Sequence, residues 1–152
     1  MSDLLETVQR WFADEEWGAE LLPDGDVLKC GFIGDNGEMV VMVRIREKAR
    51  QVIAYSRAPF SVPEDKRVAM AELLTRANYG LLIGNFEMDF ADGELRYKTG
   101  IDVEGTTLDL ALVRHLIYPN VLTMDRYLPA IVSLIYGGST PEEAIARVEG
   151  KG

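Results

Sequence analysis

The stretch that decides the fold is residues 82–101, LIGNFEMDFADGELRYKTGI. Two runs of β-forming residues, Leu82 to Phe90 and Glu94 to Ile101, flank Asp92-Gly93. Asp-Gly tolerates the positive φ of a type I′ turn, so the pattern predicts a β-hairpin. Pairing outward from a two-residue turn sets Phe90 on Leu95, Met88 on Tyr97 and Phe86 on Thr99. The other face then carries Asp89 with Arg96 and Glu87 with Lys98, two opposite-charge pairs.

Upstream, Ser61-Val62-Pro63-Glu64 opens a helix with a hydroxyl cap, a proline in the first turn and a capping-box glutamate. Met70, Leu73, Leu74 and Ala77 form its apolar stripe, and Gly80 is its stop. Three strands come before it. Asn36-Gly37 is a second hairpin turn, pairing Phe32 with Val41, Cys30 with Val43 and Leu28 with Ile45 on one face. On the other face Lys29 meets Arg44, a like-charged pair that opposes this register. A turn at residues 47–50 leads into a third strand, Gln51 to Arg57. The chain starts with an amphipathic helix whose stripe is Leu4, Leu5, Val8, Trp11 and Phe12, capped by Asp3 with Glu6 and ended by Gly18.

Downstream, Leu108, Ala111, Leu112, His115 and Leu116 share one helical stripe, and Leu110, Val113 and Ile117 line another. Pro119 is expected to break this helix, with a further one from Asn120 to Tyr136 that Pro129 kinks or restarts. Thr140-Pro141-Glu142-Glu143 caps a short last helix. The order α-β-β-β-α-β-β-α(α) predicts one α+β domain over residues 1–152, with an antiparallel sheet of about five strands.

Asn78-Tyr79-Gly80 through Asp89, Asp92-Gly93 through Thr99, and Tyr127-Leu128-Pro129 through Ile145 resemble the YbjN family, proposed bacterial sensory transduction regulators. The resemblance covers nearly the whole chain. It implies a fold similar to the type III secretion chaperones, small acidic dimers that hold extended segments of other proteins. It brings no catalytic residue and no cofactor.

The chain of 152 residues carries 25 Asp+Glu against 16 Lys+Arg, a net charge of −9. That balance argues against nucleic acid and acidic membranes as partners. Cys30 is the only cysteine and His115 the only histidine, so neither a disulfide nor a multi-Cys or His–His metal site is expected. Cys30 reads as a small core hydrophobe and His115 as a packed histidine without a catalytic partner. Asp14-Glu15-Glu16 reads as a solvated helix end rather than a cation site. With no signal segment and no span of about 20 apolar residues, a cytoplasmic protein is expected.

Two features carry the functional expectation. Ile33, Val40, Met42, Ile53 and Tyr55 face away from the first helix, which is more apolar surface than a sheet leaves wet. Either this chain's own second helix or another chain must cover it. Residues 44–57 hold Arg44, Arg46, Lys48, Arg50 and Arg57 against Glu47, a local net of +4 that leaves −13 elsewhere. Such a strip either protects an edge strand from aggregation or meets an acidic partner. The expectation is therefore a non-enzymatic protein-binding module, a homodimer, with Ile33, Val40, Met42, Ile53, Tyr55, Arg44 and Arg46 as its partner or dimer surface. The alternative is a small-ligand binder or enzyme with a site between the sheet and the C-terminal helices, near His115 and Tyr118.

Overall fold

The computed structural model describes residues 3–150. Helix α1 (Asp3–Asp14) is followed by β1 (Glu20–Leu21), β2 (Val27–Ile33), β3 (Glu38–Arg46) and β4 (Gln51–Ser61). A 3-10 turn leads into α2 (Arg67–Gly80), then come β5 (Asn85–Met88), β6 (Glu94–Asp102), α3 (Leu110–Tyr136) and α4 (Pro141–Glu149). The six strands form one antiparallel sheet in the order β1-β2-β3-β4-β6-β5. The sixth strand is β1, a two-residue element too short for sequence alternation to reveal.

The inner face of the sheet is largely apolar: Leu28, Val43, Ala54 and Thr99 lie opposite one another across four strands, and Ile45, Val52 and Ile101 across three. Against it lie α1, through Leu4, Val8, Trp11 and Phe12, and α3, through a stripe that includes Val113, Ile117, Val121, Met124 and Ile131. Helix α2 buries the expected Met70, Leu73, Leu74 and Ala77. It packs against β5, α3 and α4. That places it with the other helices, leaving the opposite sheet face open.

Several local expectations are overturned by tertiary contacts. The first hairpin pairs Cys30 with Val41, Phe32 with Met39 and Leu28 with Val43, two residues away from the expected register. Its loop is the four residues 34–37, because the backbone N–H groups of Asp35 and Asn36 donate to Asp125 on α3, at 3.1 and 2.8 Å. Lys29 now sits opposite Met42, which relieves the like-charge clash with Arg44. The second hairpin slips by the same amount, pairing Phe86 with Tyr97, Glu87 with Arg96 and Met88 with Leu95. Its loop, residues 90–93, is held by Val62, whose N–H donates to Gly93 O (2.8 Å), and by Arg67, which donates to Phe90 O (3.0 Å). Gly93 has φ +78°, and a β-carbon there would overlap the Val62 carbonyl.

Ser61 does not cap a helix; it extends β4 and pairs with Glu94 beyond a bulge that accommodates Pro59. Asp3 directs its carboxylate to Arg50 (2.8 Å), which holds its pKa below the usual carboxylate range. Helix α1 ends before Gly18: Glu16 takes φ 55°, and Trp17 N–H donates to Phe12 O (2.9 Å), a left-handed helix close. Thr140 and Glu143 do form the capping box.

Pro119 does not break the C-terminal helix; α3 runs 27 residues through both prolines. Each removes an intrahelical donor, so the carbonyl four residues earlier needs another partner. For Pro129 that carbonyl is Asp125 O, and Asn36 Nδ2 donates to it at 3.0 Å. For Pro119 it is His115 O, and His115 is exposed. His115 thus lies off the buried stripe, not in the core. Cys30 is half-buried beside the core, and burial pushes its thiol up to about 12.

Among the described residues, Ser56, Thr99, Asn120 and Asp125 are polar and buried. Asn120 Nδ2 donates to Ala54 O (2.9 Å), Tyr97 O (3.2 Å) and Thr99 Oγ1 (3.0 Å), and its Oδ1 accepts from Ser56. Thr99 in turn donates to Leu116 O (2.7 Å).

Asp125→Ala should cost about 2 kcal/mol, the range of a lost charge-assisted hydrogen bond. Gly34→Ala should cost a similar amount, because its β-carbon would displace the same carboxylate. In urea unfolding the double variant should be little worse than the more damaging single one, since both break one tether. Fully additive losses would show that Gly34 and Asp125 act independently.

Candidate functional site

The open face is built by strand parity. Residues that alternate with the buried row point away from the helices, and the register sorts them into cross-strand rows. One row is Lys29, Met42, Tyr55 and Lys98. On one side of it lies Val27, Arg44, Ile53 and Gly100; on the other lies Gly31, Val40, Arg57, Arg96 and Glu87. Apolar and cationic side chains thus interleave over the centre of the sheet.

The surface is contoured rather than flat. A cleft of about 470 Å³ is lined by Asp24, Asp26, Val27, Met42, Arg44, Tyr55, Arg57, Glu94 and Arg96. A second of about 400 Å³, sharing Arg44 and Tyr55, adds Arg46, Ile53 and Lys98. A third places Val40 beside Arg57. Six of the seven residues expected at this surface therefore line adjoining clefts. Ile33 shares the face but stands at the end of β2 opposite Glu38, beyond the reach of β4, and is 77% exposed.

Electrostatics separate the cations into two groups. Glu87 accepts from Arg96 Nε (2.9 Å) and Lys98 Nζ (2.8 Å), so these two are neutralised within the sheet. The Arg96 guanidinium also lies over the Tyr55 ring, 4.2 Å from its centroid. Arg46 donates to Gln51 (2.8 Å), and Arg50 is committed to Asp3 and Glu47. Among the described residues, Arg44 and Arg57 form no ion pair within 4.0 Å. Arg57 moreover sits directly opposite Arg96, an arrangement that costs energy in an isolated sheet.

The edge-protection reading of the basic strip does not survive. Arg44, Arg46 and Arg57 are on β3 and β4, in the middle of the sheet, while the edges are β1 and β5. The β5 edge is closed differently: Asn78 at the end of α2 accepts from Phe86 N (2.7 Å) and donates to Phe86 O (3.1 Å). Sequence reading missed Arg96, Glu94 and Asp26 as members of this surface. Alternation puts Arg96 on one strand face with Lys98, but nothing local says that β6 docks beside β4.

A second exposed feature is apolar and uncharged. Tyr79, Leu82 and Ile83, at the turn from α2 into β5, are 96%, 94% and 57% exposed. No group of three or more His, Cys, Asp or Glu among the described residues could hold a metal ion. No described helix is long and apolar enough to cross a membrane.

Comparison with known proteins places this architecture. The family model YbjN, described as "Putative bacterial sensory transduction regulator", matches residues 4–133. The crystal structure of YbjN from E. coli is similar with a TM-score of 0.61 at 12% identity, over 80% of this chain and 85% of that one. A chain of the HopA1–SchA chaperone–effector complex is similar with a TM-score of 0.50 at 14% identity, over 81% of this chain and 90% of that one. Likeness at such identities shows the fold: α+β, similar to a secretion chaperone, with six strands in place of about five. No curated protein matches the chain.

Burial works to raise the Glu87 pKa, but the hydrogen bonds from Lys98 and Arg96 outweigh it and hold the carboxyl below its ordinary range. A depressed folded value means that the stabilisation is complete above the unfolded pKa and is lost as pH falls through the folded one. Glu87→Gln should therefore lower the urea midpoint at neutral pH, with the gap to the parent closing as pH falls below the ordinary carboxylate range and through the depressed folded value. A gap that stays constant with pH would show that the charge on Glu87 does not matter.

Proposed function

The chain belongs to the YbjN family, and we propose on that premise that it is a non-enzymatic protein-binding module of a bacterial cytoplasm. Its role is chaperone-like or that of a regulatory adaptor, and it acts as a homodimer. The observation that carries this reading is the open sheet face, where Met42, Ile53 and Tyr55 stand uncovered by any helix beside Lys29, Arg44 and Arg57, cations that form no ion pair among the described residues. Apolar surface framed by charge is what a protein interface presents, with a desolvated centre and a polar rim.

Groove contact is favoured over strand addition. Asn78 occupies the backbone N–H and C=O of Phe86 on the β5 edge, and β1 offers only two residues at the other. The second copy of the chain pairs elsewhere than on the open sheet. An isologous contact there would set the Arg44 and Arg57 rows against themselves, and like charges buried together are costly. Tyr79, Leu82 and Ile83 supply an uncharged apolar corner suited to self-association.

No observation favours a ligand site between the sheet and the C-terminal helices. That space is filled by the core and by the satisfied Asn120 node. Tyr118 donates to Glu15 (2.8 Å), and His115 is exposed.

The mass in solution should be twice 17.0 kDa by light scattering at micromolar concentration. Tyr79→Asp with Leu82→Asp should bring it to the monomer without changing the circular dichroism spectrum. A wild-type monomer at every concentration would remove the homodimer. A dimer indifferent to both substitutions would move its interface away from this corner.

A further inference from the structure

We infer that the occupant of the open face is an acidic, extended segment of a partner protein, with carboxylates at positions i and i+4 flanking an apolar residue at i+2. The inference rests on the protein-binding reading above and names the chemistry of the partner. Arg44 and Arg57 receive the two carboxylates, and Met42 with Tyr55 receives the apolar side chain between them.

The spacing follows from the register. The Met42–Tyr55 row lies between the Arg44 row and the Arg57 row, each two residues away along its strand. Same-face neighbours on a strand are about 6.7 Å apart and adjacent strands about 4.8 Å apart, which puts the Cα atoms of Arg44 and Arg57 about 14 Å from each other. In an extended chain, residues i and i+4 are about 13–14 Å apart and point to the same side, with i+2 midway. A segment lying along β3 and β4 thus meets cation, apolar surface and cation in turn.

Charge selects the sign of the partner. Arg96 and Lys98 are answered by Glu87, but neither Arg44 nor Arg57 forms an ion pair within 4.0 Å among the described residues. Arg57 stands opposite Arg96 at a cost that a bound carboxylate would repay. Neither arginine serves an edge, since both lie on central strands. Asp24, Asp26 and Glu94 rim the same cleft. They limit the site to a few anionic groups and repel a continuous polyanion, as does the net charge of −9. A short acidic-apolar segment satisfies both conditions, and a nucleic acid or an anionic bilayer does not.

The test uses the full chain and a fluorescent peptide, Ser-Ser-Glu-Ser-Leu-Ser-Glu-Ser-Ser, followed by polarisation at low ionic strength. Arg44→Ala with Arg57→Ala should weaken binding at least about 10-fold, as two charge-assisted contacts require. A peptide of the same composition with its two Glu adjacent should bind more weakly. Arg57→Ala alone should leave the thermal midpoint unchanged or raised, since it removes a like-charge opposition, so lost binding is not lost folding. If the Lys-for-Glu peptide binds as well, and Tyr55→Asp abolishes it, the acidic assignment is overturned while the binding face stands. Capture by phosphatidylserine vesicles that depends on Arg44 and Arg57, with no peptide binding, overturns it in favour of a membrane. Absence of any Tyr55-dependent peptide binding overturns both the inference and the face.

Discussion

Asn120 is the residue on which the arrangement of this protein turns. It lies fully buried on α3 and reaches across to both β4 and β6 through Ala54 O, Tyr97 O, Thr99 and Ser56. An amide in an apolar interior is tolerated only where its donors and acceptor are all answered, and such a set of partners exists in one relative position of helix and sheet. Hydrophobic burial would let α3 slide along the inner face with little penalty. The Asn120 node does not. With α3 fixed, one face of the sheet is closed and every outward side chain of β2, β3, β4 and β6 is left to something else.

The same helix reaches the far end of the sheet through Asp125, which binds the loop of the first hairpin, while Arg67 and Val62 bind the loop of the second. This explains why two strong turn signals, Asn36-Gly37 and Asp92-Gly93, are both found in four-residue loops. A two-residue turn is preferred when the hairpin is considered alone. Once distant groups take up the loop amides and carbonyls, the longer loop makes more hydrogen bonds and the register moves by two. A shift of two keeps every side chain on its own face, so the division into inner and outer residues survived while the pairing did not.

The position of the basic residues within the sheet changes what they mean. On an edge strand, arginines deter aggregation and need no partner. In the centre, on either side of the Met42–Tyr55 row, they have no such duty. Arg44 and Arg57 are then cations beside apolar surface that form no ion pair among the described residues, in a protein that is acidic overall. The chain belongs to the YbjN family and shares its fold with a chain of a chaperone–effector complex. A shared fold does not by itself assign the task.

Local sequence was enough for the kinds of element, the buried stripes of α1 and α2, the capping box of α4 and the outward parity of Val40, Met42, Arg44, Ile53 and Tyr55. These depend on periodicities of 3.6 and 2, and on short-range hydrogen bonds, all written within a few residues of the position concerned. Tertiary structure decided the hairpin registers, the unbroken course of α3 through Pro119 and Pro129, the exposure of His115 and the placing of β6 beside β4. Each of those depends on a partner tens of residues away: Asn36 for the carbonyl that Pro129 frees, Asp125 for a loop ninety residues earlier, Asn120 for the seat of the helix. The alternation of a strand shows which way a side chain points. Which strand lies next to it, and whether its charges are answered there, is a property of the folded chain.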